Sequence, residues 1–215
     1  LCFDRAGLVG EDGATHHGCF DLAAYRSIPN AIIAAPRNEL ELKNLMYTGL
    51  SIQGGPYILR YPRGCGEGVA WKDVPFQALP PGKGEKLLDG RTVAVLGLGP
   101  VVNRALEAAL RHKGDYWVGP AVYDMRYLKP LDTAILEEVS DFEVILTVEE
   151  GTLKGGLYGA VCEYFAGRTE APLIKGLGIP DRFIPQDTQA AQRAECCLDT
   201  DSILDRSEER RVGKE

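Results

Sequence analysis

The first third of the chain carries short apolar runs that stop at proline. Residues 31–35 (AIIAA) are followed by Pro36, and residues 57–61 (YILRY) are followed by Pro62. A short run of apolar and β-branched residues bounded by a strand-breaking residue is typical of a buried strand. We therefore predict one strand at each of these two runs.

A helix is predicted between the two strands. Asn38 offers an N-cap, and Glu41 stands three residues later, as in a capping box. The apolar residues that follow at helical spacing are Leu42, Leu45 and Met46. Gly49 is expected to end this helix, because glycine readily adopts the backbone conformation that closes a helix.

From residue 91 onwards, apolar runs alternate with stretches of helical periodicity. The predicted strands are residues 92–96, 121–125, 143–148 and a last short one that begins at 172–175. The predicted helices run from the turn at Gly99 and Pro100 to about His112, over 132–139 behind Asp132, and over 157–165. Such alternation predicts an α/β fold in which helices cover a mostly parallel sheet.

These patterns predict two α/β units. Residues 1–65 form part of one domain, residues 66–90 are a linker rich in glycine and proline, and residues 91–200 form a complete small domain. Residues 206–215 (RSEERRVGKE) are charged and aperiodic, and we expect a non-native tail that takes no part in the fold. The opening LCFD is typical of the end of a buried strand, so we expect the chain to be a fragment.

Composition narrows the class of protein. Hydrophobic residues make up 45% of the 215 residues and charged residues 26%, as in a globular protein, and a net charge of −7 argues against a nucleic-acid-binding surface. We identify no signal peptide and no apolar run near the ~20 residues that cross a bilayer. Six scattered cysteines without a C-x-x-C pair favour reduced thiols in a cytoplasmic protein.

The residues best suited to chemistry lie in a glycine-rich segment at residues 4–18 (DRAGLVGEDGATHHG). Its polar side chains are Asp4, Arg5, Glu11, Asp12, Thr15, His16 and His17. Loops in α/β folds often bind ligands, glycine lets the backbone approach them closely, and histidine moves protons near neutral pH. A solvated surface loop explains the same residues equally well. The adjacent histidines would point apart in an extended segment, so they predict no metal site.

A second glycine motif predicts no ligand. Gly97, Leu98 and Gly99 stand between a predicted strand and a predicted helix, as in a dinucleotide-binding fingerprint, but Val102 occupies the place of the third glycine. We interpret the motif as a turn from strand to helix. His112 is given no catalytic role, since a cation is favourable near the end of that helix.

Several ordered strings resemble one family of enzymes. GEDGATHHG (10–18) and IPNAIIAAPRNELE (28–41) resemble the pyrimidine-binding domain of transketolase-type, thiamine-diphosphate-dependent enzymes. The strings that resemble the 1-deoxy-D-xylulose-5-phosphate synthase family are DRAG (4–7), RYPRG (60–64), GKG (82–84), DMRYLKPLD (124–132), TVEEG (147–151) and GLGIPDRFIPQ (176–186). The resemblance implies a partial pyrimidine-binding transketolase-like domain, followed by a C-terminal transketolase-like domain with a mostly parallel sheet.

The resemblance also implies roles for four residues. His16 matches the histidine that stabilises or protonates developing oxyanions, and Asp12 matches the acidic residue that contacts hydroxyl or carbonyl groups of the acceptor. Arg5 and Arg63 match the arginines that bind the phosphate of D-glyceraldehyde 3-phosphate, which suits the forked N–H groups of guanidinium. On residue type alone, a surface salt bridge explains Arg63 better. His17 replaces the commoner glutamine and is expected to be a neighbour, not a second catalyst.

The implied reaction condenses pyruvate with D-glyceraldehyde 3-phosphate and releases CO₂, in the biosynthesis of isoprenoid precursors, thiamine and pyridoxal. It implies thiamine diphosphate and Mg²⁺ as cofactors and a homodimer in the cytoplasm, or in the plastid of a plant or alga. The family's diphosphate- and metal-binding motif, Gly-Asp-Gly with a downstream Asn, is missing from this sequence. We therefore assign no cofactor- or metal-binding residue and expect the chain alone to be inactive.

Two alternative functions stay open. Transketolase itself, or the β subunit of a 2-oxoacid dehydrogenase, would resemble these domains, although RYPRG argues against the β subunit. A non-catalytic α/β module that serves dimerisation would also explain the isolated chain. Without the diphosphate motif, that chain is expected to bind thiamine diphosphate weakly or not at all.

Overall fold

The computed structural model describes residues 1–111 and 119–208, which form two sheets with flanking helices. In chain order, the strands are β1 (Cys2–Phe3), β2 (Ile32–Ala34), β3 (Tyr57–Arg60), β4 (Glu85–Leu88), β5 (Val93–Leu98), β6 (Ala121–Asp124), β7 (Tyr127–Lys129), β8 (Val144–Thr152) and β9 (Leu173–Ile179). The helices are α1 (Asp21–Arg26), α2 (Glu39–Leu50), α3 (Val101–Arg111), α4 (Thr133–Glu138), α5 (Leu157–Phe165), α6 (Gln189–Glu195) and α7 (Thr200–Glu208). Short 3-10 helices lie at Gly10–Asp12 and Val139–Asp141.

The smaller sheet has the strand order β1-β3-β2-β7. β1 and β2 run parallel to β3, with Ile33 beside Ile58, whereas β7 runs antiparallel to β2. Because β7 comes from the second predicted unit, the two units share this sheet. The opening strand is present, but it lies at the edge of the sheet, where Cys2 is exposed and Phe3 is half-buried.

The larger sheet has the strand order β4-β6-β5-β8-β9 and confirms the predicted α/β fold with a mostly parallel sheet. β6, β5, β8 and β9 are parallel, and β4 is antiparallel to β6. Val93 and Val95 pack with α3 in one core, while Ala94 and Leu96 pack with α4 and α5 in a second. Successive strand residues point to opposite faces, so β5 is apolar throughout because both of its faces are buried.

Helix α2 begins at the predicted cap. Asn38 Oδ1 accepts the backbone N–H of Glu41 at 2.9 Å, whereas the Glu41 carboxylate accepts the N–H of Arg37 at 3.2 Å and not that of Asn38. The helix continues through Gly49 to Leu50, so the prediction that Gly49 ends it was wrong. Glycine is needed there for packing, since a Cβ atom would lie 2.7 Å from the Tyr57 ring.

Some elements lie where no pattern predicts them. β4 lies in the segment predicted to be a linker. Its sequence, EKLL, has no clear strand pattern, and it forms a strand by pairing with β6. The short helices α1 and α6 each bury one residue, Leu22 and Gln192 respectively, so neither shows a clear helical repeat of apolar residues. α7 includes Arg206, which means that the predicted tail begins inside a helix. The remainder of that tail, 209–215, and His112 lie outside the described residues.

Among the helices of residues 1–111 and 119–208, none is long and apolar enough to cross a bilayer.

Candidate functional site

The glycine-rich segment forms a closed loop whose base is buried. Gly7 N–H donates to the carbonyl of Gly18 at 2.9 Å, and Gly18 N–H donates to the carbonyl of Arg5 at 3.0 Å. Leu8 is fully buried and Val9 is 2% exposed. Leu8 packs in the same core as β5 and α3, so the base of the loop is part of the fold and is not a solvated surface loop.

Close backbone approach explains two glycines of the loop. Gly7 has φ +79°, and a Cβ atom there would lie 2.4 Å from Glu150 Oε2. At Gly18, a Cβ atom would lie 2.4 Å from the carbonyl oxygen of Arg5. Any larger residue at either position would push the loop away from its supports.

Asp12 and Arg63 are brought together by different parts of the chain. Asp12 ends the 3-10 helix of the loop, Arg63 follows β3, and their side chains form an ion pair. Arg63 Nη1 also lies 3.5 Å from the carbonyl of Val9. The Arg63 side chain is 47% exposed and lines a cavity of about 260 Å³ beside Gly10 and Gln189. The guanidinium is therefore held at a cavity wall with part of its surface open to a ligand.

His16 and Arg5 lie on the exposed side of the loop. His16 Nδ1 is 3.0 Å from Thr15 Oγ1, and Arg5 adopts a left-handed backbone conformation with φ +59°. In the described part of the chain, neither residue lines the 260 Å³ cavity or a neighbouring one of about 330 Å³ next to Cys65. Of the four predicted site residues, Arg63 alone lines one of these two cavities, and Asp12 is joined to it by the ion pair, whereas Arg5 and His16 lie apart from both.

His17 supports the loop through both nitrogens of its ring. Its Nδ1 accepts the backbone N–H of Val9 at 3.1 Å, and its Nε2 lies 3.1 Å from the carbonyl of Ile184. These contacts require the neutral tautomer with the proton on Nε2. His17 therefore joins the loop to the segment after β9.

The buried side chains of Arg60 and Glu150 also support the loop. Arg60 is 3% exposed, and its guanidinium donates to Asp21 Oδ2 at 2.7 Å and to the carbonyls of Gly18 at 3.0 Å and Glu150 at 3.1 Å. The Glu150 carboxylate accepts the N–H of Leu8 at 3.3 Å. Its partner on α6 is Arg193, whose Nε donates to Glu150 Oε1 at 2.6 Å. The TVEEG string at the end of β8 thus supplies a carboxylate that supports the loop. The sequence pattern does not indicate this role.

Glu149 is fully buried and faces α5. It accepts the backbone N–H groups of Leu157 at 2.8 Å and Tyr158 at 2.9 Å, at the start of that helix. Burial raises the pKa of Glu149 to about 7, although these two N–H groups and the nearby Arg60 oppose the rise. This carboxyl therefore titrates near neutral pH at the start of α5.

The side chains that could coordinate a metal ion show whether the described residues can hold a metal-bound cofactor. Within residues 1–111 and 119–208, no group of three or more His, Cys, Asp and Glu side chains is arranged to hold a metal ion. The described residues do not fit a Mg²⁺ cage, and we assign no step to a metal here. The cavity wall offers an arginine, paired with a carboxylate, beside glycine backbone, a set suited to an anionic substrate.

Comparison with protein families agrees with this architecture. The family model of the transketolase pyrimidine-binding domain matches residues 1–67, and that of the transketolase C-terminal domain matches residues 82–203. Among solved structures, a split-gene transketolase in an inactive beta4 tetramer resembles the chain with a TM-score of 0.78 at 26% identity. That likeness covers 96% of this chain and 64% of the other.

Curated relatives are similar in sequence over nearly the whole chain. The 1-deoxy-D-xylulose-5-phosphate synthases of Bacteroides thetaiotaomicron and Parabacteroides distasonis are 49% and 50% identical over 204 residues. These matches cover 94% of this chain, which spans about a third of the length of the curated relatives. The synthase of Rippkaea orientalis is 40% identical over 208 residues. The resemblance seen in the sequence is confirmed, and since both domain models match in order, the chain belongs to the transketolase family.

Proposed function

We propose that the protein carrying this chain is a 1-deoxy-D-xylulose-5-phosphate synthase, which condenses pyruvate with D-glyceraldehyde 3-phosphate and releases CO₂. The identity of 40% to 50% with synthases over 94% or more of the chain supports this proposal. The structural observation that carries it is Arg63, which lines a cavity and is ion-paired with Asp12. A guanidinium paired there with one carboxylate is suited to exchange that partner for a phosphate.

The cofactor in this proposal is thiamine diphosphate, which when bound supplies the nucleophilic carbanion. The described residues act on the acceptor substrate. Arg63 binds its phosphate, and exposed Arg5 supplies a second positive charge from the other end of the loop. Asp12, released from Arg63 by the phosphate, accepts a hydrogen bond from an acceptor hydroxyl.

His16 is the proton-transfer group in this proposal. Its side chain is exposed, so it can turn towards a substrate without breaking a buried contact. An imidazole titrates near neutral pH and can donate a proton to a developing oxyanion. The change His16→Ala in the complete protein is expected to lower kcat by about 100-fold. Turnover equal to that of the unmodified protein would remove His16 from the mechanism.

The phosphate role of Arg63 has a direct test in the complete protein. The change Arg63→Gln removes a charge-assisted contact, so the KM for D-glyceraldehyde 3-phosphate should rise about 30-fold while the KM for pyruvate stays constant. D-Glyceraldehyde without its phosphate should react equally with both proteins.

The matched control is Arg168→Gln, since Arg168 pairs with Glu137 of α4. It should leave both KM values unchanged. An equal rise in KM for the phosphorylated and unphosphorylated aldehydes in Arg63→Gln would show that the arginine does not read the phosphate.

The proposal includes a homodimer in the cytoplasm. Light scattering of the complete protein should give twice the mass of its polypeptide, and a monomeric mass in active protein would contradict the dimer. A ketol-transfer assay with xylulose 5-phosphate separates the synthase from a transketolase, because the synthase is expected to give no transfer.

A further inference from the structure

One face of helix α6 makes polar contacts to the glycine-rich loop. Gln189, Gln192 and Arg193 are spaced so that they share a helix face, while Ala190 and Ala194 are exposed. The side-chain amides of the two glutamines contact backbone atoms of the loop. Sequence pattern does not indicate these contacts, because α6 is a short helix with one buried residue, Gln192.

Gln192 forms a closed pair of hydrogen bonds with Gly10. Its Oε1 accepts the N–H of Gly10 at 2.9 Å, and its Nε2 donates to the carbonyl of the same residue at 3.1 Å. Nε2 also donates to the carbonyl of Pro185 at 2.9 Å. Gln192 is fully buried, so each of these bonds forms away from water and an unmade one is costly.

Gly10 is the first residue of the 3-10 helix that ends at Asp12. Its φ is +75°, and a Cβ atom there would lie 3.1 Å from Gln189 Cγ. Gln192 therefore fixes the backbone from which Asp12 projects.

Gln189 connects the two segments that meet at the cavity. Its Nε2 donates to the carbonyl of Leu8 at 2.7 Å and to the carbonyl of Arg63 at 3.2 Å. Leu8 belongs to the loop, and Arg63 follows β3. One amide thus sets the distance between the backbones that carry Asp12 and Arg63.

We propose that Gln189 and Gln192 are positioning residues that set the affinity for the phosphorylated acceptor by holding the loop and Arg63 in register. The inference rests on the proposed function for the identity of the acceptor. Neither amide needs to contact the substrate. Their effect is exerted through the backbone of residues 8–12 and through Arg63, since a guanidinium displaced by a fraction of an ångström loses its two-pronged fit to phosphate.

The main experiment uses Gln189→Met in the complete protein. Methionine keeps the length and volume of the side chain but donates no hydrogen bond, and Gln189 is half-buried, so the fold is retained. The KM for D-glyceraldehyde 3-phosphate is expected to rise about tenfold, with the KM for pyruvate and kcat within about twofold of the original values. Amide hydrogen exchange should quicken in residues 7–13, where the N–H groups of Leu8, Val9 and Gly10 are hydrogen-bonded.

A second variant replaces the buried amide of Gln192 with a group of the same shape. Gln192→Glu keeps an acceptor for Gly10 N–H but sets a carboxylate oxygen against the carbonyls of Gly10 and Pro185. The same KM split is expected, and exchange should quicken in residues 7–13. The matched control is Ala190→Leu, which alters the exposed side of the same helix and should change neither KM nor exchange.

The outcomes separate the two proposals. Unchanged KM values and exchange in both glutamine variants, or equal rises in the KM of both substrates, would overturn the positioning role. If the unmodified complete protein has no synthase activity, the proposed function fails and the acceptor assignment fails with it. Exchange in residues 7–13 then decides by itself whether α6 holds the loop.

Discussion

The larger sheet and the glycine-rich loop are built by different physical means. In β5 and β8, apolar side chains fill two cores, and the backbone groups pair within the sheet. In the loop, side chains bind the backbone. Arg60, Glu150 and two glutamines of α6 do so from other elements, and His17 does so from within the loop. A sheet stabilised by buried apolar area tolerates small changes in its side chains. A loop stabilised by single polar contacts depends on each hydrogen-bonding residue.

This difference has a consequence for function. The sheet sets the overall stability, because buried apolar area is the main favourable contribution to folding. The loop sets the relative placement of Asp12 and Arg63, and above its buried base it is held by single polar contacts. Substitutions in the two regions should therefore separate into those that lower stability broadly and those that disturb the site at smaller cost.

The largest expected effect is in the sheet. Leu96 of β5 is fully buried, so Leu96→Ala is expected to lower the free energy of unfolding by about 4 kcal/mol, through lost burial and a cavity. Leu110, on α3, is 46% exposed, and Leu110→Ala should change it by less than about 0.5 kcal/mol. Urea unfolding of both variants measures the contrast. Similar losses for the two would show that apolar burial does not dominate this region.

The same contrast determines what the sequence could predict. The predicted strand over 92–96 and the predicted helix over 157–165 correspond to β5 and to α5, because their stability comes from side chains that repeat with the period of the element. The pairing of Asp12 with Arg63 follows from the family resemblance that placed both at one site. Local pattern alone indicates a surface salt bridge for that arginine.

The supports of the loop could not be predicted in this way. Gln192 contacts Gly10, which lies 182 residues away in sequence, and Glu150 contacts Leu8 across 142 residues. Residues so far apart in sequence are not related by any helical or strand repeat. A side-chain amide that bonds to backbone also does not restrict which side chain its partner residue carries. Only the fold brings them together.

Glu149 is a fully buried carboxyl of β8, and its titration gives the second prediction. Burial raises its pKa from 4.5 to about 7, so its contribution to stability is complete below pH 4.5 and is lost as the pH rises through 7. Across that interval it should lower the free energy of unfolding by up to ~3 kcal/mol. Glu149→Gln should remove this dependence, although the amide satisfies the N–H groups of Leu157 and Tyr158 less well.

The measurement is the difference between the unmodified protein and Glu149→Gln at two pH values. Relative to the variant, the unmodified protein should be more stable at pH 5 than at pH 8. Other carboxyl groups titrate in both proteins and cancel from this difference. A difference that stays constant between the two pH values would mean that Glu149 titrates normally despite its burial.

The third prediction compares two glycines in the same backbone conformation. Gly7 has φ +79° and Gly54 has φ +91°, so alanine is strained at both. A Cβ atom at Gly7 would meet Glu150 Oε2 at 2.4 Å, whereas no described atom lies within 4 Å of one at Gly54. Gly7→Ala should therefore cost about 2 kcal/mol more than Gly54→Ala in the free energy of unfolding, because Glu150 must move away from Leu8. Equal losses would mean that Glu150 yields without penalty.

The smallest effect separates two adjacent histidines. His17 accepts from Val9 N–H and donates to the carbonyl of Ile184, and a glutamine has one acceptor and one donor for the same two bonds. His17→Gln should therefore leave the free energy of unfolding within about 0.5 kcal/mol, whereas His17→Leu should lower it by about 1 kcal/mol. His16→Leu is the control, because His16 is exposed and its replacement should change stability little. If thermal unfolding instead ranks His16→Leu as the more damaging change, the division of the loop into a buried support and an exposed side is wrong.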